Sequence, residues 1–324
     1  MQTELGTKNS EFQAMHTPSS CRLSGAWSLG ALTLLSLAVI AGCGESAPVD
    51  DANSTPIQEA QTLPEEGMMP TTRTSALKKI FHAVPSPIET ALLLEASGVI
   101  FSTTDLHDAS LASGYQTTGL QAVNLGIYAG DLSYATIFNR NQEAIQYLNV
   151  ARRLADELGV GDLIDGALIE RAENNRDVRD SLIHIVTSTF YALNARLKEN
   201  GMEDVSGLIA AGGWIEGVYL GTRNMKLATD ELKIRIAEQK LTLGNLHSLL
   251  ASYPSTEDLA GMMAALEPVE TAFAGVEIVD HAADTRTAED GLLVISGGPE
   301  ITASNETLAA IAEAVAGVRN YYAN

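Results

Sequence analysis

Most of the sequence after residue 75 follows the period of an amphipathic α-helix. Apolar residues recur three and four positions apart in one segment after another, as between Ala144 and Leu158, and this spacing collects them on one helix face. Aromatic residues make up only 5% of the chain, so alanine, leucine and glycine supply most of the apolar surface. This composition favours closely packed helices. The sequence predicts an all-α fold for residues 75–324, an irregular multi-helix bundle of stacked helical hairpins.

Helix boundaries are marked by residues with a defined local role. Ser86, Pro87 and Glu89 combine a cap, a residue suited to the first helical position and the acid of a capping box. Glycines that follow helical runs supply the left-handed conformation that ends many helices. We predict helices over residues 86–98, 105–112, 115–138, 142–158, 163–173, 178–201, 203–222, 228–253 and 304–322, and a further helix that begins at residues 255–258. Pro268 should kink or split the helix that contains it.

Residues 276–303 have the least helical composition in this part of the chain, and a β-like segment is predicted near 276–296. Two short runs, 276–279 and 292–295, are rich in valine, isoleucine and leucine, which are common in strands. The sequence therefore allows a small β-like segment or an ordered loop here.

An apolar run near the N-terminus ends at a cysteine. Residues 29–40 are followed by the small residues Ala41 and Gly42 and then by Cys43. A spanning helix needs about 20 apolar residues, so the shorter run fits a secretory signal peptide. The pattern is that of a bacterial lipobox, in which the cysteine sulfur receives a lipid. We predict a signal peptide over residues 1–42, with Met15 as the better start, and lipidation with palmitate-type chains at Cys43. A short buried helix is the alternative.

Residues 43–74 are predicted to be a disordered tether. They contain four prolines among short polar and acidic residues, and such a segment buries too little apolar surface to offset its ordering entropy. Cys21 is the only other cysteine and would leave with the signal peptide, so the helical domain must be stabilised by its core. Gly44, in place of an aspartate, favours the outer membrane over the inner one, with the protein facing the periplasm.

The chain is strongly acidic. It has 41 acidic against 20 basic residues and a net charge of −21, and such a field repels nucleic acid and anionic membrane surfaces. We therefore expect no nucleic-acid partner. Membrane contact should come through the N-terminal lipid, and an envelope protein is a possible partner.

Three segments, residues 87–99, 125–139 and 208–222, together resemble a family of uncharacterised helical lipoproteins of Gram-negative bacteria. The resemblance extends over roughly residues 84–224, and its motifs concern helix packing. It implies the lipoprotein class and a helical fold. It brings no activity and no functional residues.

Two predicted helices carry glycines four residues apart. Such glycines lie above one another on one helix face, which predicts a close approach of another helix; they are Gly126, Gly130, Gly213, Gly217 and Gly221. The alternative is a ligand cleft between the glycine-rich helices, lined by aromatic and acidic side chains. Its predicted residues are Tyr128, Asp131, Tyr134, Trp214, Glu216 and Tyr219.

Catalytic and metal-binding signatures are weak. The only local acid–histidine group is Asp280-His281-x-x-Asp284, and no phosphate-binding, dinucleotide-binding or EF-hand motif is present. We therefore predict no catalytic residue, no metal and no cofactor. The expected function is a non-enzymatic binding or scaffold lipoprotein of the cell envelope. Two alternatives stay open: a carrier of a small or apolar ligand between the glycine-rich helices, and a hydrolase-type enzyme that uses Asp131 and Glu216.

Overall fold

A computed structural model describes residues 84–223, 225–287 and 293–324. The predicted signal peptide, Cys43 and the tether lie outside the described residues. The described helices are α1 (Pro87–Ala96), α2 (Thr118–Ile137), α3 (Asn141–Glu157), α4 (Gly166–Asn174), α5 (Arg179–Glu199), α6 (Glu203–Thr222), α7 (Asp230–Ser252), α8 (Glu257–Phe273) and α9 (Asn305–Ala323). The prediction of an all-α multi-helix fold is confirmed.

Helices α2 and α6 form the centre of the bundle. They make the most extensive helix–helix contact, and α1, α3, α5 and α9 surround α2, while α1, α7 and α9 cover α6. Nearly every residue of α6 is buried, and so is most of α2. A helix that is apolar on all sides must be enclosed by its neighbours, and these two are.

The β-like segment is a two-stranded antiparallel hairpin. Strands β1 (Glu277–Thr287) and β2 (Leu293–Thr302) pair with Glu277 opposite Thr302, and a bulge interrupts the register after His281. The hairpin leads directly into α9, which begins after Ser304. The Ser304 hydroxyl accepts a hydrogen bond from the Thr307 backbone N–H, as expected of a cap.

The residues predicted to begin and end helices adopt the expected local structures. Ser86 and Glu89 form the reciprocal capping box. Gly98, Gly159 and Gly201 adopt φ values of +81°, +75° and +72°, and each follows the end of a helix. These elements therefore begin and end where short-range chemistry dictates.

The predicted helix over residues 105–112 is wrong. The segment instead forms two short 3-10 turns, Thr103–Asp105 and Ala109–Ser113. The backbone N–H of His107 donates to Asp131 and its carbonyl accepts from Tyr147. Because side chains from α2 and α3 form hydrogen bonds with these two backbone groups, the backbone of His107 cannot form the hydrogen bonds of an α-helix.

Pro268 does not split its helix, since α8 runs without a break from Glu257 to Phe273. Pro268 is exposed, whereas Leu266, Val269 and Phe273 on the opposite side are buried. Buried residues that precede and follow the proline along the helix hold it together, although Pro268 has no backbone N–H to donate. Arg140 precedes α3 and makes no side-chain cap to it.

Candidate functional site

The two central helices touch through their backbones. A Cβ added to Gly126 of α2 would lie 2.1 Å from the Ile209 carbonyl oxygen, and one added to Gly212 of α6 would lie 2.0 Å from the Val123 carbonyl oxygen. Only residues without a side chain fit at such a crossing.

The glycines along α6 also allow a third helix, α1, to pack closely against it. Cβ atoms added to Gly213 and Gly217 would lie 3.1 Å and 2.5 Å from side-chain atoms of Pro87 and Thr90 on α1. Gly221 faces Ile236 at 2.7 Å in the same way, and Gly130 of α2 faces the Glu216 side chain at 3.0 Å. Backbone and side-chain atoms of the protein thus fill the space beside these glycines, where the ligand-cleft hypothesis predicted a ligand.

One face of α2 carries a polar cluster that is closed to solvent. Asp131 on α2 and Glu216 on α6 have no exposed surface, and Arg319 on α9 is 7% exposed. Arg319 Nε and Nη2 donate to the two carboxylate oxygens of Glu216 at 2.8 and 3.1 Å. This bidentate geometry is the strongest form of guanidinium–carboxylate pairing.

Asp131 is the carboxyl of the cluster whose ionisation is least favourable. Its Oδ2 accepts a hydrogen bond from the His107 backbone N–H at 3.0 Å, whereas Oδ1 has no donor among the described residues. Burial raises the pKa of Asp131 well above its usual range, and the negative charge of Glu216 raises it further. A proton on the Asp131 carboxyl relieves both the cost of burying a charge and the repulsion by Glu216.

Glu216 and Arg319 carry the two charges. Burial raises the pKa of Glu216, while Arg319 opposes that rise. Burial alone would lower the pKa of Arg319, but Glu216 raises it beyond its usual range. With Asp131 protonated, the cluster holds one negative and one positive charge and is neutral, as a buried group of this size must be.

His107 extends the network beneath the second 3-10 turn. Burial and, to a smaller extent, the nearby Arg319 guanidinium lower its pKa to about 4, so the ring is uncharged at neutral pH. The Tyr115 hydroxyl donates to the Ala323 carbonyl at 3.0 Å and lies 2.7 Å from His107 Nε2. With the phenol proton directed at the Ala323 carbonyl, Nε2 carries the imidazole proton, and its N–H donates a hydrogen bond to the Tyr115 oxygen.

Two further tyrosines fix the loop that carries His107. Tyr147 donates to the His107 carbonyl at 2.6 Å, and Tyr128 donates to the Asp108 carbonyl at 2.8 Å. The Tyr128 ring also stacks on the His107 ring with centroids 4.9 Å apart. Burial raises the pKa of both phenols above the usual range, so both act as neutral donors.

The structure unites only part of the predicted ligand cleft. Tyr219 lies beside the cluster, with its ring 4.3 Å from the Arg319 guanidinium carbon. Tyr134 points elsewhere and donates to the Ile100 carbonyl, and Trp214 donates to Gln239 on α7. Asp131, Glu216 and Tyr128 therefore belong to one cluster, while Tyr134 and Trp214 belong to separate parts of the core.

Two members of the cluster were missed in the sequence. Arg319 lies 103 residues from Glu216, and no local spacing links them. His107 was assigned to a helix that does not form. The sequence does carry one signal for Arg319. It stands among the apolar residues of α9, and a buried arginine needs an acid as its partner.

The described residues contain no group of three or more potential metal-ligating side chains in reach of one ion. His281 is paired with Glu300 at 2.8 Å across the hairpin. Among the same residues, no helix combines the length and the hydrophobicity needed to cross a membrane.

Comparisons with known proteins found no matching family model, curated protein or solved structure. The resemblance to helical lipoproteins therefore stays a prediction.

Proposed function

We propose that the chain is a lipid-anchored binding or scaffold component of the bacterial cell envelope, with a helical domain held on a tether. The observation that carries the proposal is the junction at Cys43. An apolar run, two small residues and a cysteine followed at once by a polar segment are what cleavage and lipidation require. We further propose that the anchor is in the outer membrane and that the domain faces the periplasm, where it binds an envelope protein.

The state of the buried carboxyls supports a non-enzymatic role for the helical domain. Asp131 and Glu216 have no exposed surface, and every polar contact described for them is to this chain's own groups. A general acid or base must come within hydrogen-bond reach of its substrate. These two carboxyls instead join α2, α6 and α9 and bind the backbone of the His107 loop.

Lipidation is tested by metabolic labelling with an alkyne palmitate analogue in a Gram-negative host. We expect label on the wild-type chain and none on Cys43→Ala. Cys21→Ala is the matched control, because it removes the other cysteine and should keep the label. Equal labelling of wild type and Cys43→Ala would refute the anchor.

The scaffold role is tested separately by affinity purification of the lipidated chain from solubilised membranes, followed by mass spectrometry. We expect a stoichiometric envelope protein that is absent or reduced with Cys43→Ala, because the anchor confines both proteins to one surface. A lipidated chain that purifies alone under crosslinking conditions would contradict the scaffold role and leave the anchor intact.

A further inference from the structure

A surface groove between α8 and α9 carries neither charge nor bulky aliphatic side chains. The two helices pack against each other, and the groove between them has a volume of about 530 Å³. Its lining consists only of glycine, alanine, proline, valine and tyrosine residues, among them Gly261 and Pro268 on α8 and Gly317 and Tyr321 on α9. Tyr321 is 72% exposed. The groove is therefore an apolar face that the described residues leave uncovered, as protein-binding surfaces commonly are.

The glycines of this groove differ from those at the centre of the bundle. Gly212 meets the Val123 carbonyl oxygen of a neighbouring helix, which leaves no room for a side chain. Gly261 and Gly317 also lie inside helices, yet no described atom is within 4 Å of a Cβ added to either. Glycine is less favourable than alanine inside a helix. Packing among the described residues does not explain its use here, whereas the close approach of a helix from another protein would.

The groove has the length of about three helical turns. Along α8 its lining runs from Gly261 to Pro268, and a neighbouring hollow of about 440 Å³, which shares Gly261 and Tyr321 with it, extends it to Glu257. At 1.5 Å per residue this distance is about 16 Å. A further helix fits between two helices by ridge-and-groove packing. An extended strand binds instead to an exposed sheet edge, which a groove between helices does not offer.

The exposed charged side chains of these two helices are all acidic. Arg319 is the only basic residue of α8 and α9, and it is buried in its ion pair with Glu216. Glu267 and Glu313 each directly precede a lining residue, and successive residues are about 100° apart around a helix, so both lie on the flanks of the groove. The exposed acids of the two helices are Glu257, Asp258, Glu267, Glu306 and Glu313.

This one-sided charge selects among the possible occupants. A second copy of the same face would bring like charges together, and nucleic acid or an anionic membrane would be repelled in the same way. A small molecule needs a concave site that buries most of its surface, and an open groove leaves it in water. A basic protein segment with an apolar face complements both the charge and the lining.

We propose that the α8–α9 groove binds an amphipathic helix of a partner protein, with small or apolar residues facing the groove and lysine or arginine on both sides of them. The apolar residues pack on the groove, while the cations pair with Glu267 and Glu313. The proposal rests on the scaffold role proposed above, for which it names the binding surface and the chemistry of the partner. It does not depend on lipidation at Cys43.

The first test uses residues 43–324 with Cys43→Ala, so that no lipid is attached, and a synthetic helix as the probe. This fluorescein-labelled peptide forms about five helical turns, with alanine and leucine along one face and lysine on both sides of that face. We expect saturable one-to-one binding in fluorescence anisotropy, weaker at high salt. The control is a peptide of the same composition whose order removes the apolar face. Equal binding of the two peptides, or no saturable binding, would overturn the proposal.

A substitution inside the groove locates the peptide. Gly317→Leu fills the groove and should weaken binding about tenfold or more by obstructing the incoming helix. Gly244→Leu is the matched control, because Gly244 is a helical glycine with the same open space at its Cβ but lies on α7, away from the groove lining. Both variants should raise the melting temperature, since leucine favours a helix over glycine, so weaker binding cannot be ascribed to misfolding. Equal binding by the two variants would refute the site.

A second pair of variants tests the charge on the flanks. Glu267→Gln combined with Glu313→Gln should weaken binding about fivefold at low salt and less at high salt. Glu170→Gln combined with Glu173→Gln removes the same charge from exposed acids of α4 and should leave binding nearly unchanged. An equal loss in both double variants would show that the peptide responds only to net charge, against the proposal.

The native partner is tested by repeating the membrane purification with Gly317→Leu and Gly244→Leu in the lipidated chain. Loss of the envelope protein from Gly317→Leu alone supports the groove as its binding surface. Retention of that protein by Gly317→Leu would overturn the groove and leave the scaffold role intact. A wild-type chain that purifies alone contradicts the scaffold role and removes the partner that the groove requires, so the two failures are distinguishable.

Discussion

Replacing Asp131 by asparagine tests the protonation state of the buried cluster. Asparagine has the shape of a protonated aspartic acid, and its side-chain oxygen can accept from the His107 backbone N–H as Asp131 does. The native carboxyl has a raised pKa because of burial and the charge of Glu216. The substitution therefore keeps the hydrogen bond to the His107 loop and removes the ability to titrate.

The sign of the effect follows from the direction of the pKa shift. A carboxyl whose pKa is raised in the folded state retains a proton that the unfolded chain releases. Its contribution to stability is full below the unfolded pKa and is lost as pH rises towards the folded pKa. Within that range, the free energy of unfolding falls by up to about 1.4 kcal/mol per pH unit.

His107 acts in the opposite direction and in a lower range. Its pKa falls from 6.5 to about 4 on folding, so the stability that it contributes is present above pH 6.5 and is lost as pH falls towards 4. That loss is about 3 kcal/mol. Wild type and Asp131→Asn share His107, so the difference between their pH slopes removes its contribution and reports on Asp131 and the Glu216 carboxyl coupled to it.

The assay is urea unfolding followed by far-UV circular dichroism at several pH values from about 5 to 9, a range that begins just above the unfolded-state pKa of an aspartate. We expect the wild-type free energy of unfolding to fall with pH more steeply than that of Asp131→Asn. Asp280→Asn, which changes an exposed aspartate on β1, should follow the wild type. Parallel slopes for wild type and Asp131→Asn would refute the assignment of the proton to Asp131.

Four further substitutions test the helix packing, the buried ion pair and the α1 cap. Gly212→Ala should destabilise the fold by about 1–3 kcal/mol or more through overpacking between α2 and α6. Gly244→Ala, in α7, places its Cβ where no atom is near, so it should stabilise the fold by up to about 1 kcal/mol. Thermal unfolding of the two variants distinguishes these effects. Arg319→Met should cost about 3–5 kcal/mol at neutral pH because it leaves Glu216 charged and buried without a partner, and a smaller loss in urea unfolding would contradict an ionised pair. Ser86→Ala should cost about 1 kcal/mol by removing the α1 cap, and an unchanged unfolding midpoint in urea would show that the capping box contributes nothing.

Short-range chemistry made most helices predictable. The box at Ser86, the glycines that end helices and the apolar period of α3 each act within a few residues, so they can be read from the sequence. The 3-10 turns around His107 could not be, because their geometry depends on Asp131 and Tyr147, which lie 24 and 40 residues further along the chain.

The candidate site was predictable only in part. Asp131 and Glu216 stood out because each lies beside a glycine in an apolar helix, and the structure brings them together. Their ion-pair partner Arg319 and the loop donor at His107 depend on how α9 and the turns pack, which no local pattern encodes. Tyr134 and Trp214 share the helices of the site but point from other faces, and sequence spacing alone did not separate those faces.

The final turn of α9 has a consequence for how the chain folds. Asn124 of α2 donates to the Tyr322 carbonyl across 198 residues, and Tyr115 donates to the Ala323 carbonyl across 208 residues. Closing such long loops is entropically unfavourable and slow. Until α9 docks, α2 has one side exposed to water and Glu216 lacks its counter-charge. The centre of the domain is therefore completed late in folding, after every intervening segment has been synthesised.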